Sequence, residues 1–294
     1  MNYEIKNENI LYEKILNANL FAGLFEQDFE SSFEHPTFVG DSLDLNEVNQ
    51  WCSQKTNGKI DKILEEFSAN VCLELLNAIY LKADWTNKFN KPIIMSDFQT
   101  NTNAKVSAEF MNDDRKIAYS ENENLQYAEL PLAKGDYVAF FVLPKEGKTI
   151  SETAKYLSSN WNSVMNTNST EVCITLPKFK VAYQLQKGDM SEVLHGIGIN
   201  LAFTEDSGLE GCFSKSSIST KGGSPYVGNV VQKTTFELSE SGIEATGATV
   251  IEVVTKNISD AIAMDLNRPF IYGIRDTKTG VILFNGCLND PSAK

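Results

Sequence analysis

Histidine is scarce in this sequence, which has only His35 and His195 among its 294 residues. A Ser-His-Asp or Cys-His catalytic arrangement would need one of them, and neither lies in a nucleophile-elbow or glycine-rich context. No fixed spacing between carboxylates marks an acid/base pair, and the phosphate-binding pattern GxxxxGK[ST] is absent. We therefore expect a protein that is not an enzyme and that uses no cofactor.

Paired cysteines are also lacking. The chain has five cysteines, an odd number, and no close pair suggests a disulfide framework or a zinc site, so no metal is expected. Cys72, Cys173 and Cys287 lie in apolar, strand-like runs, which predicts buried thiols.

Basic surface and long apolar runs are missing as well. The formal net charge of -13 disfavours nucleic acid, heparin-like polyanions and anionic membranes as partners, because each of these binds a basic face. No apolar run reaches membrane-spanning length. Hydrophobic content of 42% with 22% charged residues is typical of a globular protein, and we expect a monomer.

The most unusual pattern lies in residues 235–256. This stretch begins as a strand, passes Gly242 and continues as a second strand-like run, with no turn long enough to fold it back. In the run from Ile243 to Val254 one face is apolar or small, while Glu244 and Glu252 share the other face. The alternative interpretation is a glycine-containing edge strand that leads into a loop.

Small residues open the second run, namely Ala245, Gly247 and Ala248. They have little side chain to pack and a low strand preference. This segment could therefore lie exposed as a loop and could also insert between two strands.

Coarse patterns predict the remaining elements. Isoleucines and Leu11 in residues 5–15 predict a short amphipathic helix, followed by a strand over 16–25. A capping box at 44–47 predicts a helix that ends at Asn57-Gly58. An apolar run predicts a central strand over 71–81, with a helix as the alternative. We also predict hairpins at 127–143 and 269–286 and helices over 150–164 and 185–196. A strand is predicted over 172–181, and Pro177 within it marks an edge or an irregular pairing.

Several short motifs occur together over nearly the whole chain. They are Asn49-Gln50-Trp51, the run from Lys55 to Ile60, the run from Leu76 to Trp85, Leu176-Pro177-Lys178-Phe179, Glu240-Ser241-Gly242, Asn267-Arg268-Pro269-Phe270 and Leu283-Phe284-Asn285-Gly286. In these motifs and in their order the chain resembles the serpin family.

The resemblance implies an α+β fold of three β-sheets with surrounding helices and an exposed reactive-centre loop. It implies a single domain over 1–294, with the loop at about 240–266. Serpins normally carry further chain at the N-terminus, including the helix under the large sheet. We therefore expect that the N-terminal helices are absent and that any signal peptide would precede this sequence.

The same resemblance assigns roles to residues. The hinge of the loop comprises Glu240, Gly242, Ile243, Ala245, Gly247 and Thr249. Trp85 is the tryptophan of the breach, where the large sheet opens, and Asn77 lies in the shutter beneath it, beside Gln232 in place of the family's usual histidine. The implied activity is suicide-substrate trapping, in which a target protease cuts the loop and the loop then inserts into the large sheet. Residues 243–254 contain no proline to block that pairing.

Counting along the family's usual hinge length places the scissile bond after Lys256, between Lys256 and Asn257. A lysine there fits a trypsin-like protease with an acid in its pocket, a cysteine protease being the other possible target. Counting back from Pro269 instead favours a bond after Asn257 or Ile258. Asn257-Ile258-Ser259 is also a glycosylation sequon, and a glycan there would obstruct a protease.

Two alternatives stay open. Ile243 stands where a small Ser or Thr is usual, which predicts slower insertion and favours a non-inhibitory serpin with a carrier, chaperone or storage role, or an inactive fragment. Family habit implies an extracellular protein, whereas unpaired cysteines favour a reducing, cytosolic compartment.

Overall fold

The computed structural model describes residues 4–13, 45–66, 73–184, 189–208, 224, 226–243 and 261–292. The chain divides into two compact units. One comprises Met1–Glu4, Leu81–Val181 and Phe236–Lys294, and the other comprises Ile5–Tyr80 and Ala182–Thr235. The prediction of a single domain over 1–294 stays a prediction.

Three helices and thirteen strands form the described chain. In order they are β1 (Glu4–Glu13), α1 (Leu45–Lys55), β2 (Leu73–Asp84), β3 (Ile94–Gln99), β4 (Lys105–Glu121), β5 (Leu125–Leu132), β6 (Tyr137–Pro144), α2 (Ile150–Val164), β7 (Asn168–Pro177), β8 (Phe179–Gln184), α3 (Asp189–Gly196), β9 (Asn229–Ser239), β10 (Gly242–Ile243), β11 (Ile262–Asp265), β12 (Phe270–Asp276) and β13 (Ile282–Leu288). The fold is therefore α+β.

The strands form two hydrogen-bonded sheets. A five-stranded sheet has the order β1-β2-β10-β9-β8, with β2 also pairing β9. An eight-stranded sheet has the order β11-β7-β4-β5-β6-β12-β13, with β3 paired to β4. The 17-residue strand β4 pairs with β3 and β7 and, at its end, with β5. The described residues thus form two hydrogen-bonded sheets where the resemblance implies three.

Most predicted elements are confirmed. Helix α2 covers the predicted residues 150–164, and Thr149 caps it by accepting a hydrogen bond from the backbone N–H of Glu152. Both hairpins form, as β5 with β6 and β12 with β13. The predicted single strand over 172–181 is instead two strands in different sheets. Strand β7 ends at Pro177, which cannot donate the next ladder hydrogen bond, and β8 begins at Phe179.

The predictions for residues 5–15 and for Cys287 are wrong. The expected helix over 5–15 is the strand β1, because pairing with β2 outweighs a weak helical pattern of isoleucines. Cys287 is exposed, because alternate residues of β13 face away from the core. Cys173 is half-buried, and Cys72 lies outside the residues whose side chains the structure describes.

An aromatic cluster forms the core of the first unit beside the end of β9. Phe179 stacks on Phe236 with ring centroids 5.7 Å apart and meets Tyr272 and Phe270 edge to face. These rings are at most 6% exposed. The cluster therefore packs the first residue of β8 against β9.

The second unit has a small core around α1. Val48, Cys52, Ile60, Ile63 and Val231 pack together there. Asn49 joins this helix to the segment after it, because its side-chain oxygen accepts from the backbone N–H groups of Ile63 and Leu64 and its amide donates to the Leu64 carbonyl. No described helix is long and apolar enough to cross a membrane.

Cys52 gives this unit a testable alkaline sensitivity. Burial raises the pKa of the Cys52 thiol from 9.0 to about 11, partly opposed by the positive charge of Lys233. The unfolded chain therefore loses this proton at lower pH than the folded chain, so the free energy of unfolding falls as pH rises from about 9 to 11. We expect Cys52→Ala to remove up to about 3 kcal/mol of that fall, measured by urea unfolding across this range. Equal losses in both proteins would contradict the assignment.

Candidate functional site: the turn between β9 and β10

The chain reverses direction directly after β9. Glu240 and Ser241 form a two-residue turn, after which Gly242 pairs with Ser239 and Ile243 pairs with Leu238, antiparallel. The expectation that residues 235–256 contain no turn long enough to fold back is therefore wrong. A two-residue connection is the tightest common hairpin, and Gly242 adopts the positive φ of +145° that completes it.

Strand β10 lies between β2 and β9 and pairs with both. Its partners on β2 are Asp84 for Gly242 and Ala83 for Ile243, also antiparallel. The side chain of Ile243 is buried, with 2% of its surface exposed. Gly242 and the first residue of the predicted inserting run, Ile243, are therefore already strand residues of this sheet.

Gly242 fits closely against β2. A Cβ atom on this residue would lie 2.3 Å from the carbonyl oxygen of Ala83 and 2.7 Å from the Cα of Asp84. Both atoms belong to the backbone, so neither can rotate away as the end of a side chain could. The position therefore requires glycine on two grounds, the positive φ and the missing space.

Trp85 anchors the turn from the other side. Its backbone N–H donates to the carbonyl of Ser241 at 3.1 Å, and its indole Nε1–H donates to the carbonyl of Ser239 at 2.8 Å. The residue is fully buried. The hydroxyl of Ser239 donates to the carbonyl of Gly242 at 3.2 Å, which closes the turn. The predicted breach tryptophan therefore contacts the predicted hinge directly.

Glu240 is held by an ion pair. The Nζ of Lys178 lies 3.2 Å from a carboxylate oxygen of Glu240 and 3.0 Å from one of Glu109. Burial lowers the pKa of Lys178, but its bonds to Glu109 and Glu240 outweigh that effect and raise the pKa above the ordinary value. The ammonium is therefore charged at neutral pH and joins the turn to the start of β8 and to β4.

The predicted shutter residues lie on paired strands of the second unit. Asn77 of β2 and Gln232 of β9 are register partners in a parallel pairing that runs from Glu74 and Asn229 to Ile79 and Thr234. Gln232 is half-buried. Strands β2 and β9 therefore pair directly along these residues.

Other predicted site residues lie outside the described chain. These are Ala245, Gly247, Thr249, Lys256 and Asn257. Sequence reasoning missed Lys178, Glu109, Phe89 and Arg115 as neighbours of the turn. Only Lys178 had a signal, since it belongs to the motif Leu176-Pro177-Lys178-Phe179, whereas the other three are distant in sequence and ordinary in type.

The fold and this turn define an α+β protein whose five-stranded sheet includes the first residues of the segment after β9. The family model described as Serpin (serine protease inhibitor) matches residues 1–291. The chain therefore belongs to the serpin family.

Relatives and solved structures agree with this assignment. Iripin-5 of Ixodes ricinus is 27% identical over 98% of this chain and 72% of its own length, and Serpin I2 of Homo sapiens is 31% identical over 90% and 65%. The native state of the thermophilic serpin Tengpin matches with a TM-score of 0.81 at 26% identity, covering 98% of this chain and 74% of that one. Arabidopsis AtSerpin1 in its native stressed conformation gives a TM-score of 0.80 at 25% identity, covering 98% and 76%. The chain thus spans about two thirds to three quarters of these proteins.

Proposed function

We propose that this chain inhibits a serine protease by acting as a suicide substrate. The protease serine attacks the carbonyl carbon of Lys256, forms an ester with it and releases the amine of Asn257 as a new N-terminus. The residues from Ile243 onward then insert between β2 and β9 as a new strand. The ester remains because insertion moves the bound protease before water can hydrolyse it.

The pairing of β10 supports this proposal most directly. Gly242 and Ile243 bond to β2 on one side and β9 on the other, with the alternating run of residues 243–254 directly following. A strand that extends β10 would keep the same neighbours, and each added residue would pair on both sides. Insertion would then continue a strand that exists in the intact chain and would need no new nucleus.

The proposed target is a trypsin-like protease. Lys256 is the only basic residue between Gly242 and Arg268, so a pocket with an acid at its base selects it. A cysteine protease would form a thioester at the same carbonyl. We propose that the protein acts as a monomer. Action outside the cell would require that Asn257 carries no glycan, because a glycan there would obstruct the protease.

Incubation with trypsin tests the proposal. We expect a covalent complex that survives denaturing electrophoresis, together with a released C-terminal fragment that begins at Asn257 by mass spectrometry. Lys256→Ala should remove both products, whereas Lys278→Ala, at a lysine whose side chain is 76% exposed in the β12–β13 turn, should leave them unchanged. A cut elsewhere would contradict Lys256 as the target residue, and cleavage without any complex would contradict trapping.

A non-inhibitory role is the second candidate, and Ile243 is the observation that favours it. A bulky side chain stands here where inhibitory serpins usually have a small one. A chain that is cleaved by the protease, gains no heat stability and forms no complex would have this second function.

A further inference from the structure

The segment that follows β2 lies between the turn and β4. Phe89 donates its backbone N–H to the carbonyl of Glu240 at 3.2 Å. Its ring is 5% exposed and meets the ring of Trp85 edge to face, with centroids 5.8 Å apart. Residues 85–89, which we name the breach segment, therefore bind all three consecutive carbonyls from Ser239 to Ser241.

Arg115 of β4 holds the other side of the breach segment. Its guanidinium donates to the carbonyl of Asn87 at 2.9 Å and to that of Lys88 at 3.3 Å. It also lies over the ring of Phe89, with 4.1 Å between Cζ and the ring centroid. The same guanidinium donates a hydrogen bond to a carboxylate oxygen of Asp113 at 2.5 Å. One side chain, 12% exposed, thus contacts three consecutive residues of the segment.

The chemistry of arginine suits this arrangement. Its planar group carries several donors in fixed directions and can stack on an aromatic ring at the same time. A lysine at this position would keep one positive charge but could not donate to both carbonyls while covering the ring. Asp113 pairs with Arg115, accepts a hydrogen bond from the backbone N–H of Asp114 and lies 4.0 Å from the Nζ of Lys91. None of its described hydrogen bonds or ion pairs goes to the breach segment.

We infer that Arg115 is a positioning residue for the turn directly before the proposed inserting segment. It orients Asn87, Lys88 and Phe89 so that the N–H groups of Phe89 and Trp85 bind the carbonyls of Glu240 and Ser241. Losing Arg115 therefore frees the turn and the start of β10. The functional meaning of this inference rests on the proposed function, whereas the contact itself does not.

Hydrogen exchange on the intact chain without a protease tests the inference. In Arg115→Met we expect the amides of Trp85 and Phe89 to exchange about ten- to a hundredfold faster, the range for losing hydrogen bonds to a charged donor. Arg115→Lys should lie between this variant and the natural protein. Asp113→Asn should change these two rates little, because the bonds to both carbonyls remain.

Arg275→Met is the matched control for general destabilisation. Arg275 is 13% exposed, and its hydrogen bond goes to Glu129 at 2.7 Å, away from the breach segment. Exchange at Trp85 and Phe89 that is unchanged in Arg115→Met, or accelerated no more than in Arg275→Met, would overturn the inference. A natural protein that forms no complex with trypsin would sink the proposed function alone, since exchange needs no protease.

Discussion

Gly242→Ala is expected to lower the free energy of unfolding by about 2–5 kcal/mol, the combined cost of a non-glycine residue at positive φ and of overlap with a packed neighbour. The φ of +145° and the 2.3 Å approach to the Ala83 carbonyl both act at this position. The added methyl group cannot be accommodated unless β10 moves away from β2. Urea unfolding followed by circular dichroism measures the loss.

Gly280→Ala provides the matched control. Gly280 also has a positive φ, +76°, but nothing lies within 4 Å of the position where its Cβ would be. This substitution should cost only about 1–2 kcal/mol, the conformational part alone. Equal losses in the two variants would show that the close approach of Gly242 to β2 contributes nothing.

Ile243→Asp is expected to lower the free energy of unfolding by about 3–5 kcal/mol or to expel β10 from the sheet, because an unpaired charge would otherwise be buried. Either result removes the start of the inserting strand. We therefore expect the natural protein to gain heat stability after loop cleavage and the Asp variant to gain none. Differential scanning calorimetry before and after cleavage measures both quantities.

Two further variants separate burial from other effects of Ile243→Asp. Val281→Asp places the same charge at a residue that is 55% exposed and should change stability by about 0.5 kcal/mol or less. Ile243→Thr restores the small residue that inhibitory serpins usually carry and should keep the gain after cleavage. An Ile243→Asp protein that still gained heat stability would refute a role for this position in insertion.

The helices and hairpins could be predicted because their signals are local. The helical pattern of residues 150–164 and the turn residues at 276–280 act within a few residues, so the sequence alone predicts the helix and the turn. The strand β1 could not be predicted in this way. Its pairing with β2 is a long-range contact, and such contacts overrule a weak periodic pattern.

The residues of the candidate site also differ in whether sequence motifs or only long-range contacts bring them together. Sequence motifs brought Trp85, Glu240 and Gly242 into one hypothesis, and the structure places all three at one turn. The same reasoning predicts that the bulk of Ile243 slows insertion, and this stays a prediction. The structure adds that this side chain is buried in the sheet of the intact chain. Whether an isoleucine hinders or assists depends on the space between β2 and β9, which no local pattern encodes.

The sequence by itself determined that this chain is acidic and has a proline-free alternating run after Gly242, because composition and period-two spacing are properties of the chain alone. Only the tertiary structure decided that this run begins inside the five-stranded sheet, that Lys178 and Trp85 contact the turn before it, and that Arg115 holds the breach segment that binds this turn. These residues are far apart in sequence and meet because strand pairing sets their positions. Which of these residues come into contact therefore depends on strand register, and hydrogen bonds between strands that are distant in sequence fix that register.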